Sequence, residues 1–215
     1  MALAYTQARE RMVQDQLAAR GITDAHVLAV MGRVPRHAFV EEYLRDQAYE
    51  DYPLPIGENQ TISQPYMIAI MAQVLQIEQT ERILEIGTGS GYFSAILAEL
   101  GAMVYSVERL ESLASHAQAT LQTLGYRNVF IDVGDGSLGW PDHAPFDAVV
   151  VGSAAPCLPR PLLSQLIPGG RLVLPMGEEE LQTLVRVSTE PSGLREEYFG
   201  ECRFVKLRGQ YGWEH

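Results

Sequence analysis

Lysine is almost missing from this chain. Of its 16 basic residues only Lys206 is a lysine, against 27 acidic residues, for a formal net charge of −11 over 215 residues. Phosphate-bearing partners are held mainly by Lys and Arg, so this balance, without any polybasic run, excludes a broad nucleic-acid or anionic-membrane surface. Cysteine is scarce too. Cys157 and Cys202 are too few for a disulfide scaffold and lack zinc-ligand spacing, so both read as free thiols of a reducing cytoplasm. No apolar run approaches the roughly 18 residues of a membrane helix. The start, Met1 to Tyr5, has no charged region followed by an apolar one, so no signal peptide is expected. His26, His37, His116, His143 and His215 are scattered without ligand spacing, and no metal is expected. What is plentiful is core material. With 47% hydrophobic and 20% charged residues the chain is not disordered, and its length suits a single domain.

Two regimes follow each other. Residues 1–80 read as helices and Pro/Gly loops. Tyr5 to Arg20 is a helix that Gly21 stops, and Thr23 or Asp24 caps a second helix that must end before Pro35. Tyr49 to Ser63 reads as an ordered loop. Pro65 to Leu75 is an apolar helix with Met67, Ile70, Met71, Val74 and Leu75 toward a core. Residues 81–215 alternate strands and helices. Strands are expected at Ile83–Ile86, Met103–Val107, Val129–Val133, Ala148–Val151 and Arg171–Leu174. Helices are expected at Tyr92–Leu100, Leu110–Leu124 and Pro161–Leu166, the last stopped by Pro168-Gly169-Gly170. Apolar strands without period-two alternation are buried on both faces, so a parallel, doubly wound α/β sheet is expected. Leu181–Val187 and Arg203–Leu207 read as antiparallel strands finishing it, turned at Pro191-Ser192-Gly193.

The richest segment is Leu84-Glu-Ile-Gly87-Thr88-Gly89-Ser90-Gly91-Tyr92, which leaves a strand and opens a helix. Glycines there permit a tight turn and let backbone amides approach a ligand. Glu108 closes the next strand 21 positions after Gly87, where a carboxylate accepts ribose hydroxyls. A dinucleotide loop wants glycine at position 92, which is Tyr92. The loop therefore suits S-adenosylmethionine, which carries adenosine but no phosphate. Gly134-Asp135-Gly136 follows the next strand and offers a carboxylate to the adenine amino group. A nicotinamide dehydrogenase is the weaker alternative for this loop.

The stretch Thr61-Ile62-Ser63-Gln64-Pro65 narrows the substrate. Together with Val34-Pro-Arg-His37, Glu85 to Tyr92, Gly134-Asp-Gly136, Ala144-Pro-Phe-Asp147, Pro168 to Leu172 and Gly212-Trp213, it resembles protein-L-isoaspartate (D-aspartate) O-methyltransferases over nearly the whole chain. The resemblance implies a Rossmann-like S-adenosylmethionine-dependent methyltransferase with an N-terminal helical extension. It implies methyl transfer to the free α-carboxyl of isoaspartyl residues in damaged proteins and peptides, the ester then closing to a succinimide. Ser63 is implied as the active-site residue. Thr61, Ile62, Gly87, Thr88, Gly89, Ser90, Gly91, Glu108, Asp135, Gly136 and Gln182 are implied on the cofactor side, and Gln64, Ala154, Ala155 and Leu158 on the substrate side. The family often has glycine before Gln-Thr in the loop, where this chain has Asn59, a residue that tolerates positive φ.

The chemistry agrees with these residue types. A carboxylate is already ionised at pH 7, so the nucleophile needs no general base. A hydroxyl such as that of Ser63 donates one hydrogen bond that orients it, while many strong donors would over-stabilise the ground state. Serine before proline also suits a helix cap, so Ser63 reads both ways. Another S-adenosylmethionine methyltransferase, or a non-catalytic cofactor sensor of the same fold, remain alternatives. A monomer without nucleic-acid or membrane partners is expected.

Overall fold

The computed structural model describes residues 2–101 and 103–213; Met1 and His215, named above, lie outside them, as do Ala102 and Glu214. Helix α1 (Ala2–Arg11) runs on through a π-helical turn at Met12–Leu17 and a tight turn at Ala18–Arg20. Gly21 ends it with a left-handed φ of 94°. Asp24 rather than Thr23 caps α2 (Ala25–Met31): its carboxylate accepts from the His26 and Val27 amides at 2.8 and 3.1 Å. Such a cap stabilises by about 1 kcal/mol. The loop that follows contains a short hairpin, β1 (Leu54–Pro55) with β2 (Thr61–Ile62). Helix α3 (Pro65–Leu75) comes next, with Met71, Val74 and Leu75 buried and Met67 and Ile70 packed on the same core.

The sheet is built from β3 (Arg82–Ile86), β4 (Met103–Glu108), β5 (Val129–Val133), β6 (Phe146–Val151), β7 (Leu166–Gly177), β8 (Gln182–Glu190) and β9 (Gly193–Cys202). Helices α4 (Tyr92–Glu99), α5 (Glu111–Thr123) and α6 (Arg160–Ser164) connect them. The order is β5-β4-β3-β6-β7-β8-β9, parallel from β5 to β7 and antiparallel thereafter. The chain winds outward from β3 to β5, then returns to the far side of β3 with β6. That reversal leaves a crevice beyond the carboxyl ends of β3 and β6, the place where open α/β sheets bind ligands.

Two expectations are corrected. Pro168-Gly169-Gly170 does not precede a strand at Arg171; β7 already begins at Leu166. Phe146 pairs with Leu166 and Ala148 with Arg171, so the Pro-Gly-Gly run is an irregularity inside the ladder. Arg203–Leu207 is not the last ladder strand; Gly193–Cys202 is. Strand β9 is the sheet edge and nearly every residue in it is exposed, so it lacks the apolar alternation by which a half-buried strand is read.

The N-terminal helices join the sheet through one continuous hydrophobic cluster that runs from Met12 to Cys202. Arg171 of β7 reinforces the joint. Its guanidinium meets Glu81 in a two-pronged pair at 2.6 Å per bond and also donates to the Leu75 and Gln76 carbonyls at the end of α3.

Candidate active site

The crevice is a cavity of ≈ 340 Å³ with four main walls, completed by Ile68 and Met71 of α3 and by Gly136, Gly152 and Ser153. The first wall is the glycine loop. Gly87, Gly89 and Gly91 all have positive φ, at 90°, 53° and 84°. At Gly91 a side chain is excluded twice over: the conformation is left-handed, and a Cβ would stand 3.2 Å from both Ala117 and Leu121 of α5. This packs α4 against α5 and points the start of α4 at the cavity. Gly87, Thr88, Gly89 and Ser90 line the cavity; Gly91 lies behind it.

Glu108 ends β4 and forms the second element. Its Oε2 accepts from the Gly89 amide at 2.9 Å and its Oε1 from the Leu110 amide at 3.0 Å. The carboxylate is thus fixed by backbone donors, with lone pairs left for two hydroxyl groups. Beneath the loop lies a second acid, Glu85 of β3. It is buried, and Oε2 accepts from the hydroxyls of Ser94 (α4) and Ser106 (β4). The Thr88 hydroxyl meets the Ser106 hydroxyl at 2.6 Å and extends this network to the loop. Burial pushes the Glu85 carboxyl up to about 7, the two serine hydroxyls opposing the shift and the Glu108 charge adding to it.

The third wall is Asn59 to Ser63. Glu58 and Asn59 take left-handed φ values of 51° and 55°, so the departure at Asn59 is accommodated in the conformation that glycine would adopt. Gln64, not Ser63, holds the capping position of α3, and its side chain makes no cap bond. The helix-cap reading of Ser63 is therefore replaced: Ser63 lines the cavity, and its carbonyl accepts from the Arg36 guanidinium at 2.7 Å. Gln64 turns away, donating to the Asp51 carbonyl at 3.0 Å.

The fourth wall, Phe204 to Arg208, is one that sequence reasoning missed. Residues expected to touch ligand hold it in place. The Ala154 amide donates to the Val205 carbonyl at 2.7 Å, and its carbonyl accepts from the Leu207 amide at 2.8 Å and the Trp213 indole at 3.0 Å. Gln182 is buried; its Oε1 accepts from the Phe204 amide at 2.9 Å, while its Nε2 donates to the Glu178 and Glu179 carbonyls. Asp135 accepts from Ser137 on Oδ1 and from the Gln210 amide on Oδ2 at 2.8 Å. Burial alone would raise this carboxyl, but those hydrogen bonds and the charge of Arg109 hold it below the usual range. Asp135, Gln182, Ala154, Ala155 and Leu158 are thus not among the cavity-lining residues, whereas Gly136, Gly152 and Ser153 are. Leu158 packs on the second hydrophobic cluster, and Ala155 pairs with Met176. Gly136 must be glycine, because a Cβ would meet Ile86 Cγ2 at 2.5 Å. Arg109, Lys206 and Arg208 also line the cavity.

A glycine cradle after the first parallel strand, an acid closing the second and a cavity at the reversal of strand order define a Rossmann-like, S-adenosylmethionine-dependent methyltransferase. Residues 7–212 match the family model described as protein-L-isoaspartate(D-aspartate) O-methyltransferase, and the chain belongs to that family. It is 54% identical over 210 residues to protein-L-isoaspartate O-methyltransferase 1 of Syntrophobacter fumaroxidans, covering 98% of both chains. It is 52% identical over 212 residues to the protein-L-isoaspartate O-methyltransferase of Syntrophus aciditrophicus, covering 97% of each. Among solved structures, a protein-L-isoaspartate O-methyltransferase superimposes with a TM-score of 0.85 at 29% identity, over 95% of this chain and 67% of the other. One from Plasmodium falciparum, in complex with S-adenosyl-L-homocysteine, gives 0.79 at 25% identity, over 95% and 98%.

Proposed function

We propose that this chain transfers the methyl group of S-adenosylmethionine to the α-carboxylate of L-isoaspartyl residues in proteins and peptides, with Ser63 orienting the acceptor oxygen. The observation that carries the reading is the single cavity in which Ser63 faces the glycine loop and Glu108. The walls suit the cofactor. The backbone of Gly87 to Ser90 offers close approach, Glu108 offers lone pairs to the ribose hydroxyls, and Val107, Leu110 and Leu113 offer an apolar bed toward Gly136 for the adenine. When bound, S-adenosylmethionine supplies a methyl group on a positively charged sulfur.

The protein's share of the reaction is placement and exclusion of water. The acceptor arrives ionised, so no side chain has to remove a proton. The Ser63 hydroxyl donates one hydrogen bond and leaves an attacking oxygen aimed along the cavity. Apolar side chains lining the same cavity, Ile62, Ile68 and Met71, keep water from the anion. Charge disappears as the ester forms, and a dry, aligned site favours that change, alignment alone being worth about 7–11 kcal/mol. Phe204 to Arg208 is an extended segment that lines the cleft, held by Ala154 and Gln182, and it suits a wall beside a peptide of varied sequence.

Among the described residues no helix is long and apolar enough to cross a membrane. The acidic charge balance, with a single lysine, supports a reading without a broad nucleic-acid surface. The test is tritiated methyl transfer to an isoaspartyl peptide beside its aspartyl twin. Label in the isoaspartyl peptide alone is expected; equal labelling, or none, overturns the assignment.

A further inference from the structure

Arg36 is wholly buried, yet it faces no anion. Its Nε donates to the Ala48 carbonyl and its Nη2 to the Ser63 carbonyl, each at 2.7 Å, and its guanidinium lies 4.8 Å from the centre of the Tyr92 ring. Among the described residues the third nitrogen, Nη1, meets no acceptor within hydrogen-bond distance, and the side chain that supports the charge is the neutral Tyr92 phenol. Among the described residues none of the ion pairs includes Arg36. Burial lowers this guanidinium to about 10, which leaves it charged at pH 7, and the groups that act on it are the phenols of Tyr92 and Tyr49. Both phenols are themselves shifted upward by burial and stay neutral. A buried charge ordinarily has a partner of opposite sign. This one is kept without a partner, in a chain of net charge −11, and it touches two residues that line the active-site cavity, Ser63 and Tyr92.

We propose that Arg36 is a positioning residue whose missing counter-charge is the acceptor carboxylate itself: it holds the Ser63 loop by its carbonyl and makes the site prefer an acid over an ester. This rests on Ser63 being the acceptor site. In the reaction a carboxylate oxygen forms a bond to the methyl carbon, the carbon–sulfur bond breaks with its electron pair going to sulfur, and the acceptor passes from charge −1 to neutral. The attraction of Arg36 for the acceptor therefore exists before transfer and is gone after it. Its field favours capture of substrate and release of product, and does not accelerate the chemical step. The fork held by two carbonyls has a separate effect, which is to fix where the Ser63 hydroxyl stands.

The test compares binding of three peptides that share a sequence: the isoaspartyl acid, its α-carboxamide and its α-methyl ester, titrated with S-adenosylhomocysteine present. At an effective dielectric near 20, a unit charge one residue away shifts such a preference by about tenfold or more. The wild-type enzyme is expected to bind the acid at least about tenfold tighter than either neutral twin. Arg36→Met is expected to bring that ratio near one and to raise KM by a larger factor than it lowers kcat; methionine fills the space of a buried charge that had no ion partner. Arg36→Lys keeps the charge without the fork, so it is expected to keep the acid preference while kcat falls, and it carries the test if the methionine variant does not fold. An unchanged acid preference in Arg36→Met, or its loss in Arg36→Lys, overturns the inference while leaving the acceptor site intact. A wild-type enzyme with no acid preference overturns the acceptor site, and this inference with it.

Discussion

Ser63 and Glu108 divide the work of the cavity between substrate and cofactor, and their substitutions should separate accordingly. Removing the Ser63 hydroxyl leaves its carbonyl bond to Arg36 in place, so the loop keeps its path and only the orientation of the acceptor oxygen suffers. Ser63→Ala is expected to lower kcat about 10- to 100-fold on an isoaspartyl peptide. Cofactor affinity, measured by equilibrium titration, should change less than threefold, about 0.6 kcal/mol. Unchanged turnover would remove Ser63 from the mechanism. Glu108 is different because its carboxylate also organises the loop, through the Gly89 and Leu110 amides. Glu108→Ala loses charge-assisted hydrogen bonds of about 1.5–3 kcal/mol, so cofactor binding should weaken at least about tenfold. Turnover at saturating cofactor should fall by less. An affinity equal to wild type by calorimetry would refute the role.

At the scale of elements, the glycine loop stands on a buried acid. Glu85 on β3 is tied to α4 through Ser94, to β4 through Ser106, and so to Thr88. Its carboxyl sits at about 7 against an ordinary 4.5, so the folded state holds this proton more tightly than the unfolded chain. Its contribution to stability is therefore fully present below pH 4.5, declines as pH rises through that window and levels off above about 7. Glu85→Gln keeps the shape and abolishes the titration. The difference in unfolding free energy between variant and wild type is expected to move in the variant's favour between about pH 4.5 and 7, by a few kcal/mol at most. A difference that is flat across that range, measured by urea titration at several pH values, would show that Glu85 is not the titrating group. The same scale shows what could be read from sequence and what could not. The parallel strands β3, β4 and β6 and the helices between them were legible because each buries an apolar run or stripe, and the cofactor loop because its glycines and Glu108 are spaced by backbone geometry. The edge strand β9 was not, because exposure on both faces erases the pattern. Asp135 and Gln182 were read only as cofactor contacts; in the structure each also ties down the segment from Phe204 to Gln210, through the Gln210 and Phe204 amides respectively.

For the whole molecule the question is charge. A net charge of −11 repels an acidic client at long range, whereas Arg109 and Arg208 line the cavity that must receive it, beside Lys206, which is paired with Glu179 at 2.6 Å. Screening separates the two, since the Debye length shrinks from about 30 Å at 0.01 M salt to about 10 Å at 0.1 M. On an acidic isoaspartyl peptide, kcat/KM is expected to rise from about 0.01 to 0.1 M salt as the distant field is screened, then to fall toward 1 M as the local one is. A steady decline over the whole range would mean that the local patch dominates at every distance. The sequence by itself determined the alternating strands and helices and the glycine loop with Glu108 ending the next strand, because each is a local arrangement with a local signature, and its resemblance to a family singled out the Ser63 loop. Only the tertiary structure decided that Phe204 to Arg208 close the cavity, that Asp135 and Gln182 anchor the segment from Phe204 to Gln210, and that Arg36 stands behind Ser63 with no ion pair among the described residues. Those facts depend on pairings between residues far apart in the chain, such as Asp135 with Gln210 and Arg36 with Ser63, and spacing along a sequence carries no signal for them.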